Sequence, residues 1–455
     1  VNQTAEKKPE IPDELEIGDA LALAVRMHRH GDLDDAETLY RRILEVAPSH
    51  PDAMHFLGVL LHHRGQSDQA IDLIRRSIEL DPDQPDRYNN LGNVLVECRR
   101  LAEATEAYQQ AIALRPDHAD AWNNLGALYR AQGRFDEAGT AYQKAIELDP
   151  GHVDAYNNFG NLLSSRGLVR EAVAYYCKAI TLVPNHPQSR RLLGIAYYTL
   201  GQIEAAAEVF RDWLQAEPDN PIARHLFAAC SQQNVPERAS DAYIETTFDD
   251  FAASFDAKLE HLGYRAPQVI AEALARSCGT PEKQFIGLDA GCGTGLCGPL
   301  ITPWVHRLTG VDLSARMLAA AQHRGVYDEL VKGELTACLD THPDAFDLVV
   351  SADTLVYFGD LQHVVDVAYR ALRPDGWLVF TVEEATGDVT DNGYRINPHG
   401  RYAHSRAYLH QTLTAGGFAP LSIEPVILRL EGGSPVSGLV VTARRSASGG
   451  RRCPE

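Results

Sequence analysis

The densest group of residues able to do chemistry is Leu288, Asp289, Ala290, Gly291, Cys292, Gly293, Thr294 and Gly295, which overlaps the end of the apolar run FIGLDA. Glycines directly after a strand let a ligand approach the backbone closely, and the next helix start offers free N–H groups to an anion. Gly293, Gly295 and Gly298 also spell the GxGxxG dinucleotide fingerprint, with Asp312 near the right distance for ribose hydroxyls. A nicotinamide-dependent oxidoreductase is therefore one reading. Asp289 speaks against it, because an acid beside the glycines repels a pyrophosphate but accepts hydrogen bonds from a cationic amino group. Pro299 and Pro303, in LCGPLITP, further shorten or bend the helix that a pyrophosphate needs.

The elements that must position these residues alternate. The runs FIGLDA, HRLTGVDLS, FDLVVSAD and GWLVFTVEE are separated by helical stretches, one containing VVDVAYRAL, which predicts a doubly wound α/β sheet. PLSIEPVILRLEGGSPVSGLVVTARR predicts two long antiparallel strands joined by a GGSP turn. In this order LDAGCGTG, TGVDLS, FDLVVSADTLVYF and ALRPDGWLVFTVE resemble successive motifs of the class I S-adenosylmethionine-dependent methyltransferases, over about 100 residues. The resemblance implies a Rossmann-like domain with S-adenosylmethionine as cofactor and S-adenosylhomocysteine as product. It implies that Asp289, Gly291, Gly293 and Gly295, with Cys292 and Thr294 in the same loop, hold the methionine moiety, and that Asp312 binds the ribose hydroxyls. Leu313 and Met317 would flank the nucleoside, and Glu334 and Leu335 would meet the adenine. Asp353 would end the fourth strand facing cofactor and acceptor, with Tyr357 close after it, although Asp353 equally suits the cap of a following helix.

Residues 248–267, FDDFAASFDAKLEHLGYRAP, are expected to form a helical lid over the cofactor, with Tyr264 and Arg265 near its mouth and Phe251 and Phe255 in packing roles. Between the fifth strand and the last helix, EEATGDVTDNGYRINPHGRYAHSRAYLHQTL is a long insertion dense in Tyr, Arg and His. Loops at the carboxyl ends of strands shape ligand sites in this fold, so Tyr394, His399, Arg401, Tyr402 and His404 are candidates for the acceptor pocket. His404 or His399 would be the base that takes the acceptor's proton; Arg401 could instead clamp a carboxylate, which needs no base. Ser405 reads as the N-cap of the helix that follows.

The first half is a repeat array. Pro48, Pro82, Pro116, Pro150, Pro184 and Pro218 recur every 34 residues, with Ala36, Ala70, Ala104, Ala138, Ala172 and Ala206 in the same register. Gly58, Gly92, Gly126, Gly160 and Gly194 permit close helix approach, and Gly31, Gly65, Gly133, Gly167 and Gly201 mark a turn, a series that Arg99 breaks. AWNNLGALYRAQGRFDEAGTAYQKAIELDP closely resembles the tetratricopeptide repeat. The resemblance implies six helix hairpins, whose first helices line a concave surface, followed by a capping helix in DNPIARHLFAACSQ. RYNNLG, AWNNLG and AYNNFG then place Asn90, Asn124 and Asn158 at one position of that surface, where stacked amides could grip an extended peptide backbone or simply be solvated or bonded within the array.

The expected organisation is therefore multidomain: a polar tail (1–16), an all-α tetratricopeptide solenoid (17–220), a capping helix and linker (221–240), an α/β Rossmann-like methyltransferase domain ending in an antiparallel strand pair (241–445) and a short tail (446–455). Acidic residues exceed basic ones in both halves, 35 to 24 up to residue 240 and 27 to 18 beyond, for a net charge of −20, which argues against a nucleic-acid partner. Eight scattered cysteines without a CxxC pair, a polar N-terminal stretch and no long apolar run predict a cytoplasmic protein without a membrane segment or metal site. The leading expectation is a methyltransferase whose array recruits a protein or peptide acceptor. The alternatives are a small biosynthetic acceptor with the repeats used for assembly and, more remotely, an oxidoreductase or a non-catalytic scaffold.

Overall fold

The computed structural model describes residues 15–184, 186–252, 255–386, 392–431 and 434–446. Most of both tails, with Cys453, and the two glycines of the GGSP turn lie outside the described residues, as do two residues of the expected lid and part of the insertion. The chain divides into two compact units, Val1–Ser189 and Arg190–Glu455.

In the first unit helices start every 34 residues in two interleaved series. One begins at Ile17, Pro51, Pro85, Ala119 and Val153, the other at Leu33, Ser67, Leu101, Phe135 and Val169. The alanines of the second series are fully buried, and from the second hairpin on, each helix of that series presents a large residue to a glycine of the first: a Cβ added at Gly92, Gly126 or Gly160 would lie within 3 Å of the Tyr108, Tyr142 or Tyr176 ring. The glycine is thus a socket for an aromatic knob, and the buried rings join one continuous core along the array. The inter-helix turns take a left-handed backbone at Gly31, Gly65, Gly133 and Gly167. Arg99, which stands at the glycine position of the third hairpin, adopts the same conformation, with φ 59°.

The second unit contains the last repeat helix (Ile203–Ala216), the capping helix (Pro221–Ser231) and a mixed sheet. Strands β1 (Phe285–Ala290), β2 (Val305–Asp312), β3 (Glu329–Lys332), β4 (Phe346–Ser351) and β5 (Leu372–Glu384) run parallel in the order β3-β2-β1-β4-β5. The insertion folds into a short hairpin, β6 (Tyr394–Ile396) and β7 (Tyr402–His404), and β7 extends the end of β5 in parallel. β8 (Phe418–Glu431) and β9 (Ser434–Arg445) form the expected antiparallel pair, β9 lying antiparallel to β5 over Trp377–Glu383. Each sheet face carries its own apolar layer, one built on Leu288, Val349, Phe380 and the helix Gln362–Ala371, the other on Leu348, Val350, Val379 and the helix Ala266–Ser277. Strand order reverses between β1 and β4, and at such a switch the loops leave a crevice.

The capping helix is built into this unit. His225 stacks on Tyr243 at 4.0 Å and its Nε2 bonds the Gly400 carbonyl at 2.8 Å, Gln232 donates to the Ile396 carbonyl, and the Tyr402 hydroxyl donates to the Pro236 carbonyl. The backbone of Glu237–Ala239 bonds that of Tyr357–Asp360. The cap of the repeat register therefore packs against the insertion hairpin, and its apolar cluster runs from Ala206 through Trp213 and Leu226 to Tyr243.

A side chain in the left-handed region costs about 1–2 kcal/mol, part of which glycine returns through its freer unfolded chain. Arg99→Gly is expected to stabilise the array by about 0.5–1 kcal/mol, read as a higher denaturation midpoint at unchanged slope. Gly126→Val should do the reverse by about 1–3 kcal/mol, because it overfills the Tyr142 socket.

Candidate functional site

The crevice between β1 and β4 opens into a cavity lined by the glycine loop, the ends of β2 and β4, and the helices that precede β1. The loop turns back on itself through left-handed Gly291 (φ 78°), Gly293 (φ 53°) and Gly295 (φ 81°). A Cβ on Gly291 would strike the Thr354 side chain at 2.2 Å, and one on Gly295 would meet Tyr327 at 2.9 Å. Gly291, Cys292, Gly293 and Thr294 face the cavity; Gly295 does not line it and instead seats the loop on Tyr327. The helix after the loop is only Gly298–Ile301, followed by Pro303, so no long N-terminus is offered to a pyrophosphate.

Two carboxylates dominate this end. Asp312, at the end of β2, accepts from the backbone N–H groups of Gly293 and Ser314, both at 2.9 Å. Asp289, at the end of β1, accepts from the Tyr327 hydroxyl at 2.7 Å through Oδ2, while its buried Oδ1 has no hydrogen-bond partner among the described residues. Burial raises the pKa of Asp289 to about 7, Tyr327 works against that rise and Asp312 adds to it. Burial also raises Asp312, against its backbone N–H bonds. The thiols of Cys292 and Cys297 are pushed well above their usual value by burial, so neither is a nucleophile at neutral pH. Leu313, Met317, Glu334 and Leu335 also line the cavity. Glu334 caps the helix Leu335–Asp340 by accepting from Ala337 N.

The wall from the preceding helices is apolar: Ile244 and Phe248 of the helix Asp241–Phe251, Phe255 and Leu259 of the helix Phe255–His261, then Leu262, Tyr264 and Pro267. Phe248 meets Phe255 and Tyr357 edge-on. The rim is polar, with Glu245 paired to Lys332, Asp249 bonded to Ser314, and Asp256 bonded to Thr294 and Arg324. Tyr264 lines the cavity, whereas Arg265 is half exposed, pairs with Glu272 and takes no part in it.

The remaining wall carries a charge cluster. Arg429 of β8 donates from Nε to Glu431 at 2.7 Å, from Nη1 to Asp353 at 2.9 Å and from Nη2 to Glu383. Arg401 donates from Nε to Glu383 at 2.7 Å and from Nη2 to Glu431. Asp353 is left-handed (φ 55°), its Oδ1 accepts from the Thr381 hydroxyl, and it caps no helix. Strain of this kind at a cavity wall persists only when the surroundings hold it, here Arg429 and Thr381. Burial alone would raise Glu383, but Arg401, His399 and Arg429 hold it down at about 2.

Several expected acceptor residues lie elsewhere, because the insertion is a packed hairpin and not an open loop. His404 is fully buried, its Nε2 bonds the Gly359 carbonyl, and burial lowers its pKa to about 4. It stacks with Tyr408 and Tyr394, and Tyr394 meets Tyr402 edge-on. None of His404, Tyr394 and Tyr402 lines the cavity. His399 does not line it either: its Nδ1 accepts from Arg401 N, its Nε2 faces Glu383 at 3.6 Å, and burial, then Arg401, lowers its pKa to about 4. Neither histidine is therefore placed to take an acceptor's proton. Arg401 does line the cavity, but both bonded arms hold carboxylates of the protein itself, so it is not a free clamp. Tyr357 lines the cavity and burial raises its pKa, which makes it a hydroxyl donor and not a base. Sequence reasoning passed over Tyr327, Glu383, Arg429 and Glu431. The signal for Arg429 was its place in VILRLE, a lone charge in an otherwise apolar strand.

Asn90, Asn124 and Asn158 are half-buried in the first unit, and each bonds the preceding repeat: Asn90 Nδ2 to His55 Nε2, Asn124 Nδ2 to the Oδ1 atoms of Asn89 and Asn93, and Asn158 Nδ2 to Asn123 Oδ1, at 3.0–3.2 Å.

With this geometry in hand, the comparisons are specific. A methyltransferase-domain family model matches residues 288–380, a tetratricopeptide-repeat model residues 163–230, and the model of the Cilia and flagella-associated protein 70 C-terminal domain residues 14–196. Malonyl-[acyl-carrier protein] O-methyltransferase of Enterobacter lignolyticus (strain SCF1) is 37% identical over 102 residues, 22% of this chain and 40% of that protein. Methyltransferase-like protein 27 of Homo sapiens is 37% identical over 84 residues, 18% of this chain and 34% of that protein. The chain thus spans well under two thirds of the length of these relatives. The crystal structure of MamA, 31% identical, is matched over 37% of this chain and 95% of that one with a TM-score of 0.32. Motif order, sheet topology and these family matches agree that the chain carries tetratricopeptide-type repeats and, over residues 288–380, a domain similar to the class I S-adenosylmethionine-dependent methyltransferases.

Proposed function

We propose that the protein methylates a protein or peptide that its repeat array recruits. The observation that carries the catalytic half is the unpartnered, buried Oδ1 of Asp289 beside a left-handed glycine loop whose Gly291 and Gly293 face the cavity. These residues fit S-adenosylmethionine: Asp289 for its ammonium group, the loop backbone for its methionine chain, Asp312 for ribose hydroxyls, and Leu313, Met317 and Leu335 for the purine. When bound, that cofactor supplies an electrophilic methyl group on a sulfonium. The protein's own part is positional: the glycine loop fixes the donor end, the helices before β1 exclude water, and Asp353, held by Arg429, sets a carboxylate at the acceptor side. The described groups on the cavity wall able to take a proton from an acceptor are carboxylates, and Asp353, whose pKa burial raises, stands at the acceptor side.

Support for peptide recruitment is the asparagine row. Each of Asn90, Asn124 and Asn158 has its amide nitrogen tied to the repeat before it, so the row is held in one arrangement, and a preordered row costs less entropy on binding an extended chain. The same bonds favour a second reading, in which the amides serve only to join repeats and the acceptor is a small metabolite. We place the protein in a reducing, cytoplasmic setting because the seven described cysteines are all free thiols. Among the described residues no helix is long and apolar enough to cross a membrane.

Calorimetry of the full chain with S-adenosylmethionine tests the catalytic half; absence of binding refutes it, and Asp312→Ala should weaken binding at least tenfold. The pH dependence has a definite sign. Asp289 binds its proton more tightly in the folded protein than in the unfolded chain, so its contribution to folding is most favourable below the unfolded value and declines as pH rises towards 7. Cation binding needs the carboxylate, so affinity should rise between about pH 6 and 7.5 with release of up to about one proton, seen as a dependence of the heat on buffer. Asp289→Asn should weaken binding and flatten that slope, leaving the part due to Asp312, and Tyr327→Phe should move the slope to higher pH. For the array, Asn90→Ala, Asn124→Ala and Asn158→Ala together should weaken retention of acceptor polypeptide without changing cofactor affinity; unchanged capture would remove the asparagine row from the reading.

A further inference from the structure

The charge cluster on the cavity wall has an imbalance that bears on the acceptor. Asp353, Glu383 and Glu431 contribute three carboxylates and Arg401 and Arg429 two guanidiniums, tied together by the hydrogen bonds given above. All three nitrogens of Arg429 are engaged by different carboxylates, and Arg401 spans two of them. An acidic acceptor would therefore have to displace carboxylates already in charge-assisted bonds, within a wall that is net negative. The other titratable groups facing the cluster do not restore the balance. His399 accepts an N–H from Arg401 on one nitrogen and is held neutral, Asn397 is uncharged, and the Tyr198, Tyr264 and Tyr357 hydroxyls stay protonated because burial raises them. Of the other charged groups that line the cavity, Asp289, Asp312 and Glu334 are acids and Arg238, 3.7 Å from Glu334, is a base, so the lining remains net negative. Of the three cluster carboxylates, Asp353 and Glu431 face the cavity, and Glu431 is the most open, with 37% of its side chain exposed, against 5% for Glu383.

We infer that the acceptor subsite takes a basic nitrogen group, an amine or guanidine, that docks as its cation on Glu431 and Asp353, which Arg429 and Arg401 position; the nitrogen gives up one proton to a cavity carboxylate or to solvent before its lone pair takes the methyl group and S-adenosylhomocysteine leaves. The inference rests on the methyltransferase reading above and narrows its acceptor to a basic nitrogen, in place of a carboxylate. It also accords with an array carrying more acids than bases, whose preferred polypeptide is basic or neutral.

Small probes test the subsite without engaging the array. The full chain is first saturated with S-adenosylhomocysteine, then titrated separately with n-butylamine, n-butylguanidine and butyrate, and binding is followed by calorimetry or ligand-observed NMR. Either cation is expected to bind at least fivefold more tightly than butyrate, and Glu431→Gln should bring them within about twofold of each other. Glu431 is open enough for that variant to fold, and unchanged affinity for S-adenosylhomocysteine checks it. Arg429→Lys should likewise reduce the preference, since Lys cannot hold three carboxylates at once. Failure of S-adenosylhomocysteine itself to bind would fault the underlying reading, and with it this one. Given that binding, the inference is overturned by tighter butyrate binding, by no preference, or by a preference that survives in Glu431→Gln. Transfer of labelled methyl from S-adenosylmethionine into lysate protein as a base-labile ester, released as methanol, would overturn it as well.

Discussion

A carboxylate buried without a cation is costly, by several kcal/mol after relaxation, and the second unit holds one at the centre of its sheet. Asp289 stands at the end of β1 with one oxygen on the Tyr327 hydroxyl and the other without a partner. The Tyr327 hydroxyl offsets part of that cost, and Asp312 nearby increases it. The glycine loop, the shortened helix after it and the apolar helices over the cavity all serve the same end: they keep water away from a negative charge whose natural counterpart is a bound cation. Such a site is less favourable when empty, and its affinity comes from relieving that condition.

The second charge centre solves a different problem. Five ionised groups around Arg429 are drawn from β4, β5, β7, β8 and the loops beside them, so their bonds pin the β8–β9 hairpin and the insertion to the ends of the central strands. Breaking one arm would leave an uncompensated charge in a desolvated wall, which is far more damaging than never having built the cluster. The same guanidinium therefore holds together β8, the end of β5 and the segment after β4, and with them the wall of the cavity.

How legible was this in the sequence? The array was legible almost to the residue because its determinants are local: a glycine and the aromatic ring it receives lie 16 residues apart, and the third to sixth repeats each restate the pair. Even the one exception, Arg99, kept the left-handed turn of its glycine counterparts. The cofactor loop was legible because one short segment carries both its turn residues and its acid. What escaped was non-local. Tyr327 reaches Asp289 across 38 residues and Arg429 reaches Asp353 across 76, and no periodicity announces either pair. His404 and His399 were misjudged for a related reason, that a Tyr-rich insertion reads as an open loop until strand pairing with β5 turns its side chains into a core.

The compaction of the chain adds a constraint that the repeat period conceals. The sixth repeat and its cap are the end of the array by register, yet from Arg190 onwards the chain packs as part of the catalytic unit, and Arg238, Ala239, Ile244 and Phe248 form cavity wall. His225 and Gln232 of the cap segment bond the backbone of the insertion hairpin, and Arg401 lies between two of those bonded positions and the cavity's carboxylates. The last helices of the array are thus tied to the cavity-bearing unit both along the chain, through the connecting segment 232–240, and by hydrogen bonds to the insertion hairpin. The repeat cap accordingly belongs to the same compact unit as the cavity and bonds the hairpin that carries Arg401, although the repeat register assigns it to the array.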